Sequence, residues 1–321
     1  MLWTSCFHIL ILLKNKKSMQ RETLRIHTIA ECNKHFSQVT LHPLASVIEL
    51  SEVHSIPHDI LFDFYAVILL ENNPDAFYGR RTCDYSNASI IFVAPHTAFD
   101  LDPKMMSVKG RMLVFHSDLI KYTPLQYDIK NYTFFSYGRD EALHISQREK
   151  AKAMECLDSI KGELEHLIDY YSQPLMSGYI GLFLNHCQRF YERQFIIREE
   201  ENKSYLRKFE SMLDEYVVSD NVSTNIPYLT KCCAERLHMS TAYLKDLLIF
   251  ETGKAVSEHF QSKRLEVSKG MLLRPDVPVN VVAEKLGYSS VQQFSRFFKL
   301  ATGMAPQDYR LFYGKGVQSI S

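Results

Sequence analysis

The chain has 321 residues, 46% of them hydrophobic, and its 37 Lys plus Arg balance 37 Asp plus Glu. That length allows two or three domains, and the composition is ample for packed cores in a soluble protein. Seven scattered cysteines lack the spacing of a zinc ribbon or of a secreted disulfide framework, so the expected home is a reducing compartment, the cytoplasm.

Charge is unevenly spread. From Asn221 onward, 13 Lys plus Arg face 8 Asp plus Glu, which leaves the front acidic. A basic C-terminal third suits a polyanionic partner.

The first residues, MLWTSCFHILILLKNKK, hold an apolar run from Cys6 to Leu13. This run is too short to cross a bilayer core of about 30 Å. Its lysines follow the run, whereas a secretory signal places them before it. Residues 1–18 are therefore expected to be a mis-called start ahead of Met19 or a disordered extension, and no membrane partner is expected.

From Ile26 to Tyr137, short β-like runs alternate with turn residues, as in Phe64 to Leu70, Ile90 to Val93 and Arg111 to Phe115. The stretch Asp84 to Ala88 reads as a turn feeding a strand that Pro95 ends. Strands this short and this numerous suggest a small barrel or sandwich. His42, His54, His58, His96 and His116 raise the question of a metal. A metal-binding cupin needs two His one residue apart, then a Glu and a later His, because alternate barrel positions point inward together. No His-x-His occurs. His54 and His58 could meet only on a helix, which Pro57 disfavours. No metal, no cofactor and no catalytic residue is expected.

From Ser146 the stripe Met154, Leu157, Ile160, Leu164, Leu167, Ile168 and Tyr171 predicts an amphipathic helix. Ser172-Gln-Pro174 is expected to break it, and a second helix follows from about Leu175 to Ile197. The run Glu199 to Glu201 reads as a solvated end to that segment. A third stripe, Tyr205, Phe209, Met212, Leu213 and Tyr216, leads to the polar Ser219 to Asn225 linker. These helices are expected to connect the two halves and to pair two copies.

The last third repeats one pattern. Leu244 to Gly253 reads LKDLLIFETG and Phe294 to Gly303 reads FSRFFKLATG, each with apolar residues at positions 1, 4, 5 and 7 of ten. Both predict a helix with one buried face and a glycine stop. Upstream, Ala234-x-x-Leu237-x-x-Ser240 is echoed by Ala283-x-x-Leu286-x-x-Ser289, and the second copy carries one extra residue in its turn. Each reads as a short helix, a tight turn and a second helix opened by a Ser cap, the helix-turn-helix plan. A small Ala fits where two steeply crossing helices approach, and Gly287 suits a positive φ where the first copy has His238. Between the copies, Ala255 to Leu273 predicts a connecting helix about 28 Å long, apolar at positions 256, 260, 265, 267, 271, 272 and 273. Major-groove faces recur about 34 Å apart, so the two units are expected to enter consecutive grooves. On the second unit's helix, Phe294, Phe297 and Phe298 are assigned to the core and Gln292, Ser295 and Arg296 to base edges. Lys299, nearer the helix end, is assigned to a phosphate.

Several of these residues carry a family likeness: Ala283-Glu-Lys-Leu-Gly-Tyr288, Phe294-Ser-Arg-Phe-Phe-Lys299, Gly303-Met-Ala-Pro306 with Tyr309-Arg310, Thr252-Gly253-Lys254 and Lys263-Arg264-Leu265. With them the C-terminal hundred residues resemble the AraC/XylS group of bacterial transcription regulators. The resemblance implies a seven-helix DNA-binding domain over 221–321 that meets DNA through Thr241, Ala242, Lys245, Asp246, Ser290, Gln292, Gln293, Ser295, Arg296 and Lys299. The first unit departs from the family, with Asp246, Ile249 and Phe250 where Arg or Lys is frequent. It is expected to bind weakly or to read a narrow site, with Lys245 its main donor. The front, with Tyr78-Gly-Arg-Arg81, is similar in architecture to the family's cupin-like sensing domains. An α+β protein is thus expected, with a cupin-like β-barrel over 19–145, connecting and dimerisation helices over 146–220 and an all-α DNA-binding domain over 221–321. Its expected work is effector-responsive, sequence-specific transcription regulation and not catalysis. Double-stranded DNA is the main expected partner, joined by a small-molecule effector in the barrel, a second copy as homodimer, and RNA polymerase. The rivals are a cupin-type enzyme with an accessory DNA-binding tail and a protein-binding scaffold with a degenerate DNA domain.

Overall fold

The computed structural model describes residues 23–50, 59–71, 78–100, 109–219, 222 and 225–314. The expectations for residues 1–18, His54 and His58 lie outside these residues. The chain divides into two compact units, Met1–Glu192 and Arg193–Ser321. The class is mixed α+β, with sheets in the first unit and helices in the second.

In the first unit the strands are β1 (Thr23–Ile26), β2 (Ala45–Glu49), β3 (Asp59–Phe62), β4 (Tyr65–Glu71), β5 (Ala88–Val93), β6 (Ala98–Asp100), β7 (Gly110–Phe115) and β8 (Leu143–Ile145). They form a five-stranded sheet of order β2-β7-β4-β5-β8 and a three-stranded sheet of order β1-β3-β6. The larger sheet is antiparallel throughout. In the smaller one, β1 runs parallel to β3 and β6 antiparallel to it. Among the described residues the strands form two sheets that no strand pairing joins, and these strands by themselves close no barrel.

Strand β4, YAVILLE, shows why the sheets stack. Its apolar residues do not alternate with polar ones, the mark of a strand covered on both faces. Val67 and Leu69 belong to one buried cluster, while Ala66, Ile68 and Leu70 belong to another. The second cluster lies against the smaller sheet and is filled by Ile60, Phe62, Phe64, Phe99 and Met112. The first is covered by helices.

Helix α1 (Ile29–His35) packs into the second cluster and opens with a capping box, Thr28 accepting from Glu31 N–H while the Glu31 carboxylate accepts from Thr28 N–H. The all-β reading of this stretch overlooked that signature. It also overlooked the stretch after β7, where α2 (Ser117–Ile120), α3 (Pro124–Asp128) and short 3₁₀ turns bring Leu119, Leu125, Phe134 and Phe135 into the first cluster.

Helix α4 (Gln147–Leu164) starts at a Ser146/Glu149 capping box and buries Ala153, Cys156, Leu157, Ile160 and Leu164. The stripe expected to run on to Tyr171 stops there. Leu167, Ile168 and Tyr171 are 92%, 59% and 65% exposed. The expected break at Ser172-Gln-Pro174 is instead the first turn of α5 (Ser172–Ile197). Proline is tolerated in a first turn because its missing N–H has no helical partner to lose. The Asp169 carboxylate accepts from the N–H groups of Tyr171 and Ser172 just ahead of it. Glu199 to Glu201, expected to close the preceding segment, open α6 (Glu199–Val218), where acidic side chains complement the helix dipole.

The second unit continues with α7 (Ile226–Arg236), α8 (Thr241–Thr252), α9 (Val256–Leu272), α10 (Val279–Lys285), α11 (Val291–Thr302) and α12 (Pro306–Tyr313). Helix α6 packs on α8 and α9 and joins these six.

Candidate nucleic-acid interface

The repeated sequence folds into repeated geometry. In α7-turn-α8 and α10-turn-α11 the small residues Ala234 and Ala283 are each 1% exposed where the paired helices meet. Met239 N–H donates to the Ala234 carbonyl at 3.0 Å, and Tyr288 N–H to the Ala283 carbonyl at 2.9 Å. The turn residues expected to take positive φ do so, His238 at 56° and Gly287 at 72°. Gly287 is doubly required, since a Cβ there would meet the Val222 carbonyl oxygen at 2.4 Å.

Both recognition helices end alike. Thr252 and Thr302 donate their hydroxyls to the carbonyls of Leu248 and Phe298 at 2.7 Å, and Gly253 and Gly303 follow in the left-handed conformation. At the start, Ser240 Oγ accepts from Tyr243 N–H at 3.1 Å, as expected. In the second unit the cap is Ser290, not the expected Ser289, and accepts from Gln293 N–H at 3.2 Å. The extra turn residue shifts the cap by one, and Ser289 instead bonds the Gln293 carboxamide oxygen through its N–H and hydroxyl.

On α11, Phe294 and Phe298 are fully buried and Phe297 is half-buried. Gln292, Gln293, Arg296, Lys299 and the cap Ser290 are exposed, with Ser295 half-buried among them. On α8, Thr241 and Lys245 are exposed, and Ala242 and Asp246 are half-buried. One apolar departure on α8, Phe250, has a local cause. Phe250 stacks on Phe195 with ring centroids 5.3 Å apart, and Phe195 also meets the Tyr243 ring at 5.2 Å. Asn202 donates to the Glu251 carboxylate at 3.0 Å, and Arg198 donates to the Tyr243 hydroxyl at 3.2 Å. Both ends of α8, at Tyr243 and at Phe250 and Glu251, are thus tied to the chain around the start of α6.

Connector α9 has 17 residues, about 26 Å at 1.5 Å per residue, and buries every fourth one: Val256, Phe260, Arg264, Ser268 and Leu272. Leu265, Val267, Met271 and Leu273, expected to form the apolar stripe, are half-buried. Arg264, to which the sequence assigned no role beyond the family likeness, is buried on α9. Its guanidinium carbon lies 3.6 Å from the Tyr288 ring centroid and 5.2 Å from that of Phe260. Burial pushes the Arg264 pKa down, and burial raises the Tyr288 hydroxyl to about 12. Arg310 fastens the far end of α9, donating to the carbonyls of Leu272, at 2.9 Å, and of Val277.

Three described histidines of the first unit make local bonds. His42 and His116 accept backbone N–H groups, and His96 bonds Asp63. Among the described residues no group of three or more His, Cys, Asp or Glu is arranged to hold a metal. None of the described helices is long and apolar enough to cross a membrane.

Comparison with known proteins finds likeness within the second unit and, for one relative, over a longer part of the chain. Residues 233–311 match the family described as Helix-turn-helix domain. YobQ of Bacillus subtilis strain 168, called an uncharacterized HTH-type transcriptional regulator, is 25% identical over 217 residues, 64% of this chain and 80% of YobQ. YtdP of the same organism, described in the same words, is 39% identical over 77 residues, 24% of this chain and 10% of YtdP. The chain thus spans about a tenth of one of these relatives and four-fifths of the other. A solved transcriptional regulator with an AraC-type DNA-binding domain from Chromobacterium violaceum aligns at a TM-score of 0.31 and 18% identity, covering 35% of this chain and 94% of that one.

Proposed function

We infer that the AraC-type helix-turn-helix domain formed by residues 233–311 serves a sequence-specific, DNA-binding transcription regulator. The observation that carries this reading is the face of α11, where Gln292 and Arg296 stand exposed opposite the buried Phe294 and Phe298 on a capped helix one turn from its helix-turn-helix partner. Arg can bond guanine through two contacts and Gln adenine, which gives that face a base-reading chemistry. Lys299 adds a phosphate contact and Lys245 a weaker first grip. The rod between the units, about 26 Å long, supports entry of both helices into successive major-groove faces.

The first unit is read as the sensing half, a cupin-like domain of two packed sheets, with residues 146–220 as connecting helices through which two copies pair. The protein works in the cytoplasm, alongside RNA polymerase, and the reading assigns no catalysis to it. Selection of bound sites from random DNA, followed by titration of Arg296→Ala on the selected site, tests the assignment. The variant is expected to lose about 1–3 kcal/mol on that site and to relax preference at one base pair. An equal loss on random DNA would remove base reading from Arg296.

A further inference from the structure

A groove of about 500 Å³ opens on the first unit between the α2–α3 turn and α5, within the size range of small-molecule sites. Its walls are built and held. Ser177 donates to Thr123 Oγ1 at 2.8 Å, Thr123 donates to the Ile120 carbonyl at 2.7 Å, and Gln173 bonds the carbonyls of Leu119 and Lys121 at 3.0 and 2.9 Å. Among the lining residues the Tyr132 hydroxyl donates to Asn185 Oδ1 at 3.0 Å, which leaves the tyrosine oxygen able to accept a further hydrogen bond. On the α5 side the wall is lowered by glycine. A Cβ at Gly178 would meet nothing within 4 Å, and one at Gly181 only the Leu125 side chain, at 4.0 Å.

Two observations point to a ligand. Tyr122, on the rim, is held at φ 61° with its side chain 95% exposed, a costly conformation for a bulky residue that no burial of its own ring repays. Second, Asp128 carries the only formal charge among the described lining residues, and its field reaches far enough to raise the Tyr132 hydroxyl pKa, after burial. Aromatic faces with a single carboxylate select cations and repel carboxylates or phosphates.

We propose that this groove binds a small organic cation, its ammonium head between Asp128 and the Tyr132 oxygen and its apolar body along Gly178, Gly181 and Leu182. The site lies outside the two sheets, whose intervening space is filled by Phe62, Phe64, Phe99 and their neighbours. Its role as an effector site rests on the reading of the first unit as a sensor. Binding of the cation does not, because it is measured without DNA.

Calorimetric titration of the full chain with phenethylamine, 2-phenylethanol and 3-phenylpropionate compares three head charges on one apolar body. Phenethylamine is expected to bind at least about tenfold more tightly than the alcohol, the acid not at all. Asp128→Asn is expected to abolish that preference. Gly178→Leu, which fills the groove and favours the helix, is expected to abolish binding with the melting temperature not lowered. Equal binding of the alcohol, a preference that survives Asp128→Asn, or binding that survives Gly178→Leu overturns the proposal. So does the absence of binding by both phenethylamine and choline up to about 10 mM. Anisotropy titrations of labelled DNA, run separately, read the regulator function. Binding without any effect on DNA affinity keeps the site and removes the sensing role.

Discussion

Arg264 places a guanidinium at 2% exposure, with Nε and one Nη making no hydrogen bond among the described residues. Stacking on Tyr288 and Phe260 offsets about 2 kcal/mol, less than the several kcal/mol that burying an ion costs. Its net effect is therefore positional, since it fixes Tyr288 in the turn before α11, and an apolar side chain of similar volume should serve the fold nearly as well. Arg264→Met is expected to stay within about 1.5 kcal/mol of the parent, whereas Arg264→Ala, which opens a cavity, should lose roughly 2–5 kcal/mol. Equal losses in urea titrations would show that the charge itself stabilises the unit. The two turns allow a matched comparison. Gly287→Ala meets both a positive φ and the Val222 carbonyl, so it should lose more than about 1 kcal/mol. His238→Gly relieves the same backbone strain without crowding and should gain up to about 1 kcal/mol. A gain for Gly287→Ala in the same denaturation series would contradict the crowded turn.

The two recognition helices differ in what they have left for DNA. Helix α8 gives Phe250 and Glu251 to packing around Phe195 and Asn202, and has Lys245 as its only basic residue, next to Asp246. Helix α11 has Arg296 and Lys299 exposed. Each neutralised phosphate adds about 0.9 to the salt slope. As salt is raised, hydroxyl-radical protection should disappear first from the half-site under α8, and simultaneous loss from both halves would refute this asymmetry. The duplication was legible because Ala-x-x-Leu, the apolar decamer and Thr-Gly each answer a local steric demand twice. The Ser290 cap was less so, because two adjacent serines compete for it. Arg264 was illegible: nothing local to α9 tells an arginine that its neighbours will be two aromatic rings. The α5 start was misread because proline both breaks a helix and begins one, and only the preceding Asp169 turn decides between them.

Over the whole molecule, charge balance hides a division, with a basic C-terminal third and an acidic remainder. The strands were legible from their runs, but the stacking of the sheets depends on pairings far apart in sequence, such as Thr23 with Asp59. One carboxylate ties those distant strands together. Asp63, just past β3, is met by His27 Nδ1 at 2.7 Å, His96 Nδ1 at 3.0 Å and the Arg25 guanidinium at 3.2 Å. The hydrogen bond from His27 is the largest cause; burial opposes it, and with the further bonds from His96 and Arg25 the pKa is held below the usual carboxylate value. Because the folded state holds this proton less tightly than the unfolded state, stability gained from the cluster is complete above the unfolded pKa of about 3.9 and is lost as pH falls through the lower folded value. Thermal unfolding of the full chain should therefore show a melting temperature for the first unit that declines as pH drops below about 4. Asp63→Asn should melt lower at neutral pH and show a flatter decline on the acid side. An acid dependence equal to that of the parent would mean that strands β1 and β3 are held together without this carboxylate.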